Sequence, residues 1–163
     1  MRSKFALVLA LVAVAAASGA AGARERGEAL PGIPAYAQGF QSWTKINPRP
    51  IPPRRSGDAH LGTKNVYVNR PRSALVRAGK QRFPYPNGAI VVKSAKRPNK
   101  GFIGLVAIMR KLKGSDRAHG DWEFVEYTRE SANARFREIA SDAVCWSCHA
   151  GAKKSDWVFT VLK

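Results

Sequence analysis

Five residues near the end of the chain, Cys145-Trp146-Ser147-Cys148-His149, constrain its fold more than any other feature, because they hold both of its cysteines. Two thiols separated by two residues can each reach one vinyl carbon of a porphyrin, and the next residue then lies under the ring with its imidazole at the iron. C-x-x-C-H is accordingly the attachment pattern of c-type haem. A fold that uses it must leave a pocket beside His149.

Other uses of the pattern fit less well. A thioredoxin-like redox pair follows a strand at the start of a helix near the front of a βαβ unit, a context this chain lacks. A closed zinc site needs a further pair of ligands, and only His60 and His119 remain besides the motif. One motif implies one covalently bound haem, held by Cys145 and Cys148 with His149 as the axial iron ligand. For the opposite face of the iron the candidates are Met109, His60 and His119. Met109 lies in an apolar strand pattern suited to core packing, and both histidines lie in glycine-containing polar stretches suited to surface loops. An open distal position is the favoured expectation, the arrangement of enzymes and gas binders; the remaining reading, an electron-transfer cytochrome, requires Met109, His60 or His119 on the iron.

Haem is attached outside the cytoplasm, and the amino end agrees with export. Met1-Arg2-Ser3-Lys4 is short and positive, an apolar run extends from Phe5 to about Ala17, and small residues continue to Ala23. This is the order of a cleaved secretory signal over residues 1–23, too short in its apolar part for the roughly 20 residues of a membrane span. The expected location is the periplasm or the exterior. Residues 24–163 are within the size of one domain.

Lysine and arginine number 28 against 11 acidic residues, a formal net charge of +17. Such a field favours an acidic redox partner or an anionic surface. Nucleic acid is not expected, since no basic run is interleaved with aromatic residues as a base-stacking platform requires.

Residues 24–57 read as a short helix followed by a covering loop. Tyr36, Phe40 and Trp43 recur at helical spacing, and prolines from Pro48 to Pro53 then forbid a regular helix or central strand. Strand character follows in 65–69, 89–93, 102–109 and 121–127, the last alternating between apolar and acidic positions. A short helix is expected over 71–78 with Pro71 at its first position. Helix is also expected over 132–150, and a short strand over 157–160. The fold class is therefore α+β, a mostly antiparallel sheet with a few short helices and the haem motif near the carboxyl end.

The chain resembles the cytochrome P-460 family, which includes the beta-type cytochromes c′. The resemblance rests on Phe40-Gln41-Ser42-Trp43, Val66-Tyr67-Val68-Asn69, Asn87 to Lys93, Gly120-Asp121-Trp122-Glu123-Phe124, and the haem motif followed by Asp156 to Thr160. It implies a homodimer with a five-coordinate haem and two kinds of chemistry. Enzymes of the family oxidise hydroxylamine and pass the electrons to an outside acceptor; the beta-type cytochromes c′ bind nitric oxide or carbon monoxide without turnover. A lysine cross-linked to the porphyrin edge marks the enzymes. Lys93 stands where that lysine is expected, although its position alone reads as an exposed strand end. Oxidation of hydroxylamine releases protons, so a distal carboxylate would serve as base. The family glutamate falls in register with Ala140 here, which leaves Glu138 and Asp142 as the neighbouring candidates, each otherwise a solvated helix residue. Phe83 and Phe102 read as core rather than pocket.

Overall fold

The computed structural model describes residues 30–162. The signal segment 1–23 lies outside them. Eight strands and two short α-helices follow in the order β1 (Thr44–Lys45), β2 (Thr63–Val68), α1 (Arg72–Leu75), β3 (Val76–Arg77), β4 (Lys80–Gln81), β5 (Ile90–Lys96), β6 (Ile103–Lys111), β7 (Trp122–Thr128), β8 (Arg137–Ser141) and α2 (Ala143–His149). Six of the strands form one sheet in the order β1-β2-β5-β6-β7-β8, every neighbouring pair antiparallel, and β3 and β4 form a separate hairpin. This is the expected class, a mostly antiparallel sheet with a few short helices.

The central strands are apolar on both sides because both faces of the sheet are covered. On one face Val66, Val68, Val91, Met109, Trp122 and Phe124 pack with Leu75, Tyr85, Trp157 and Val158. On the other, Val92, Val106 and Ile108 pack with Leu30, Ile33, Phe40 and Phe136. Burying each of these side chains contributes about 1.5–3 kcal/mol, so the two layers anchor the sheet from both faces. The first layer lies under the haem motif.

Several local expectations are corrected. The helix expected over 34–44 is two 3-10 turns, Ala35–Ala37 and Phe40–Ser42, separated by Gly39 at φ 70, a left-handed value that no helix continues through. In 71–78 the helix is a single turn, with Pro71 one place before it, and Val76 already belongs to a strand. Over 132–150 helix forms only from Ala143. Residues 137–141 instead pair with β7, where ladder hydrogen bonds outweigh a weak helical preference. Asp142 at φ 28 makes the break, and its carbonyl accepts the N–H groups of Cys145 and Trp146 to start α2. The strand expected over 157–160 does not form, because Asp156 and Trp157 take φ values of 54 and 68, turned away from extended backbone.

The proline-rich loop covers as expected. Ile51 bridges Lys64 at the sheet edge, and Asp58 accepts from the Arg54 N–H at 2.9 Å and from Lys64 Nζ at 2.6 Å. Burial opposes the charge on Asp58, but these donors hold its carboxyl below the usual range. The loop is thereby tied to β2 on either side of His60.

Candidate haem site

One row of the sheet crosses beneath the motif. Directly paired positions run Val66, Lys93, Ala107, Glu126, Ala140 through β2, β5, β6, β7 and β8. Directly opposed residues of antiparallel strands project to the same face. The row therefore sets a cation and an anion on the motif's side of the sheet, one strand apart, with only the methyl of Ala107 between them. The next row, Val68, Val91, Met109 and Phe124, is apolar throughout.

Above this floor sits α2. His149, its last residue, pairs Nδ1 with the Trp157 carbonyl oxygen at 2.7 Å. A carbonyl can only accept, so Nδ1 carries the proton and Nε2 is the nitrogen with a free lone pair. The left-handed pair Asp156-Trp157 aims that carbonyl. It is held from below by a buried ion pair, Lys111 Nζ to both Asp156 oxygens at 2.8 Å, and by the Tyr85 N–H to Asp156 Oδ2 at 2.7 Å. Burial, with Lys93 and His60 nearby, keeps the imidazole of His149 below its ordinary pKa, so it is neutral, the form that binds metals. Phe124 and Phe159 meet its ring edge-on at 5.1 and 5.3 Å.

Beside His149 a cleft opens. Its inner part is a small cavity of about 30 Å³ lined by apolar groups including Val66, Val91, Met109, Phe124 and Val158. Its mouth, about 390 Å³, is bordered by Ile51, Pro52, Arg54 and Asp58 of the covering loop, by Lys64, and by Val144, Cys145, Cys148 and Phe159. Both parts include His60, Lys93, Cys145 and His149. The mouth is within the size of small-molecule and cofactor clefts.

Three of the polar groups form one chain. Lys93 Nζ lies 3.0 Å from His60 Nδ1, and His60 Nε2 lies 3.4 Å from Glu126 Oε2. Burial pushes the Lys93 amine down to about 8; Lys64 and Arg54 add to the effect and the carboxylates of Glu126 and Asp58 oppose it. Lys93 is thus a cleft residue rather than an exposed strand end, with a minor neutral fraction at pH 7 that becomes half near pH 8. Burial, with Glu126, Asp142 and Cys148 nearby, pushes the Cys145 thiol up to about 11.

These residues fit a c-type haem. Two unpaired thiols stand at the mouth, a neutral imidazole offers Nε2, and an apolar floor and a covering loop flank the space between. Among the described residues no group of three or more His, Cys, Asp or Glu is placed to hold a free metal ion.

The other candidates lie elsewhere. Glu138 and Asp142 border a separate surface hollow with Tyr36, Arg110 and Glu123. Asp142 is occupied in accepting the Phe124 N–H at 3.0 Å. His119 stacks on Trp146 with ring centres 3.9 Å apart and pairs with Asp116, away from the cleft. Contrary to expectation, Phe83 and Phe102 are not core residues: Phe83 is 37% exposed beside Tyr85, and Phe102 is half-buried under Arg129 and Lys100. Sequence reasoning missed Glu126, though a signal was present: it falls on the same alternation as Trp122 and Phe124, an acid on the buried side of a strand. His60 is a candidate in the sequence but reads there as a surface-loop residue, and for Phe159 no comparable signal exists.

An antiparallel sheet carrying a haem-attachment motif over an apolar cleft defines a haem cytochrome built on strands. The chain matches the family model Cytochrome P460 over residues 37–160 and belongs to that family. Membership implies a haem cofactor. No curated protein matches the chain.

Proposed function

We propose that the protein is a monohaem c-type cytochrome that oxidises hydroxylamine or a related small nitrogen compound at an accessible distal haem face and hands the electrons to an outside acceptor. Cys145 and Cys148 hold the one haem covalently, and His149 Nε2 is the proximal ligand. The observation that carries the reading is the Lys93, His60 and Glu126 chain in the wall of the cleft beside His149, where the polar mouth meets an apolar inner part.

When bound, the haem supplies an iron that takes up the small nitrogen compound and accepts its electrons. The chain's own residues do the rest. His149, oriented by the Trp157 carbonyl, supplies a strong axial donor, since a hydrogen bond on the second nitrogen raises ligand basicity. Lys93, held at low pKa by burial, is available as a neutral amine for attachment to the porphyrin edge. Glu126 accepts the protons that hydroxylamine oxidation releases, a step open to a positioned carboxylate. Its cross-strand partner is Ala140, so Glu126 fills on β7 the part that the family glutamate fills on the neighbouring strand. Val66, Val91, Phe124 and Val158 exclude bulk water from the inner cleft.

The apolar inner wall also supports a second reading, binding of nitric oxide or carbon monoxide without turnover. The test is hydroxylamine-dependent reduction of an artificial acceptor by the haem-loaded protein. Steady turnover supports the enzyme. Tight nitric oxide binding with no turnover transfers the assignment to the gas binder. The rest of the proposal is an exported, periplasmic homodimer whose net charge, +17 for the whole chain and +15 once Arg2 and Lys4 leave with the signal, suits an acidic electron acceptor.

A further inference from the structure

We infer that the protein docks an acidic one-electron acceptor protein on the surface formed by the β6–β7 loop and the 3-10 turns Ala150–Ser155, where a chain of packed rings leads outward from His149. The inference rests on the electron hand-over proposed above and names its place and its partner. The chain of rings starts at the hydrogen bond from His149 Nδ1 to the Trp157 carbonyl oxygen, 2.7 Å long. The indole of Trp157 is buried and meets the His119 ring edge-on, with centres 5.3 Å apart. His119 in turn stacks on Trp146, with centres 3.9 Å apart and planes inclined at only 17°. Trp146 follows Cys145 in sequence, so the stack is joined to the haem motif twice, by backbone to an attachment cysteine and through Trp157 to His149.

Electrons tunnel faster through bonded and tightly packed groups than across gaps, and the packing here is tight. A Cβ on Gly120 would lie 3.0 Å from the Trp157 indole, and Asp116 pairs with His119 and fixes its ring. The outer end of the route is at the surface, since His119 and Trp146 are both partly exposed. Around it Lys113, Arg117, Lys153 and Lys154 are exposed, and no ion pair among the described residues takes them up. The one acid of the same segment beside the stack, Asp116, is already engaged by His119. Rings at the centre with a rim of one charge match an interface that steers and orients a partner of the opposite charge.

The cleft mouth is a poorer docking place. Its Lys64 is paired with Asp58, the carboxylates of Asp58 and Glu126 share it, and a small substrate must enter there. An anionic lipid surface would use the same cations but has no use for a ring stack beneath them. One electron passes per encounter: the reduced haem loses it, the acceptor's metal gains it, and no bond or proton moves. Substrate entry and electron exit thus use different surfaces, and the acceptor can dock while the cleft is occupied.

The test uses the haem-loaded protein and plastocyanin, an acidic blue-copper protein, as the probe. Stopped-flow absorption follows electron exchange between them, run in whichever direction is downhill, and amide shift mapping locates the contact. The patch variant is Arg117→Glu with Lys154→Glu. Its control is Lys96→Glu with Lys100→Glu, the same change in charge on exposed residues at the opposite end of β6. At low salt the patch variant should lower the second-order rate constant about tenfold or more, an effect that fades at high salt, and the control should change it far less. Shifts should fall in residues 112–121 and 150–155. His119→Leu should keep those shifts but slow the limiting rate at saturating plastocyanin. Equal effects of the two double variants, shifts confined to the cleft mouth, or an unchanged limiting rate in His119→Leu overturns the inference. So does a patch variant that loses binding to phosphatidylglycerol vesicles yet exchanges electrons with plastocyanin at the wild-type rate. A wild type that shows the patch effect but does not oxidise hydroxylamine supports the surface and overturns the proposed substrate; turnover with an artificial acceptor and no patch effect overturns the surface alone.

Discussion

The Nδ1–H of His149 donates to the carbonyl oxygen of Trp157 across 2.7 Å, and a buried ion pair between Lys111 and Asp156 supports the turn that presents this carbonyl. Sequence neighbours eight residues apart are thus joined through a strand on the far side of the turn. The two left-handed residues of the turn cost of order 1–3 kcal/mol each, which the ion pair and the Tyr85 N–H offset.

Lys111→Met should leave Asp156 buried without its cation, lowering stability by about 3–5 kcal/mol. Chemical denaturation of the haem-loaded protein checks the size. The iron–imidazole stretch in resonance Raman should also fall, because a relaxed turn no longer polarises His149. A variant with wild-type stability and an unchanged stretch would separate the ion pair from the haem ligand.

Lys93→Ala and Lys93→Arg should behave alike. A guanidinium stays charged and cannot attack as an amine, so neither variant can form the porphyrin attachment. The expected wild-type feature is a strongly red-shifted reduced Soret band that reverts to an ordinary c-type position in both variants. A spectrum indifferent to both changes would remove Lys93 from the electronic role and strengthen the gas-binding reading.

Glu126→Gln keeps the shape of the cleft wall but removes its base. Hydroxylamine oxidation should fall by roughly 10²- to 10⁴-fold, the usual contribution of general-base catalysis, with nitric oxide affinity nearly unchanged. Steady-state turnover and gas titration, run on the same preparation, measure both. Equal loss of both would point to a collapsed cleft instead.

The tyrosines set an alkaline limit. Tyr36, Tyr67 and Tyr127 are raised above the ordinary phenol value, chiefly by burial, and Tyr85 is pushed up to about 12 by burial and by Asp156 against the hydrogen bond from Gln81. A folded phenol that holds its proton above the unfolded value stabilises fully below pH 10, and the contribution is lost as pH rises from about 10 toward 12. For Tyr85 it is at most about 3 kcal/mol. Stability should therefore decline steeply above pH 10, and less steeply in Tyr85→Phe. Denaturation midpoints from pH 9 to 11 would show it.

The motif, the class of fold and the four long strands were legible in the sequence because each rests on short-range pattern: thiol spacing in 145–149, or alternation such as Trp122-Glu123-Phe124-Val125-Glu126. What was not legible depends on pairing between distant segments. Residues 137–141 have a helical composition and become β8 only because β7 offers a ladder. Lys93 reads as a strand end until the register sets it beside Ala107 and beneath His60, and His60 reads as a loop residue until Asp58 and Lys64 fold that loop over the cleft. Glu138 and Asp142 were near the motif in sequence but project to a different surface, whereas Glu126, nineteen positions before Cys145, lines the cleft.

The central claim is that one haem is bound covalently at Cys145 and Cys148. Intact-protein and peptide mass spectrometry of the denatured, acid-extracted protein, expressed with a haem-attachment system, tests it most directly. The account predicts one haem mass retained on the peptide containing Cys145 to His149, and its loss from a Cys145→Ala, Cys148→Ala double variant. Haem that is fully extracted from the wild type, or retained on a peptide lacking these cysteines, would contradict it.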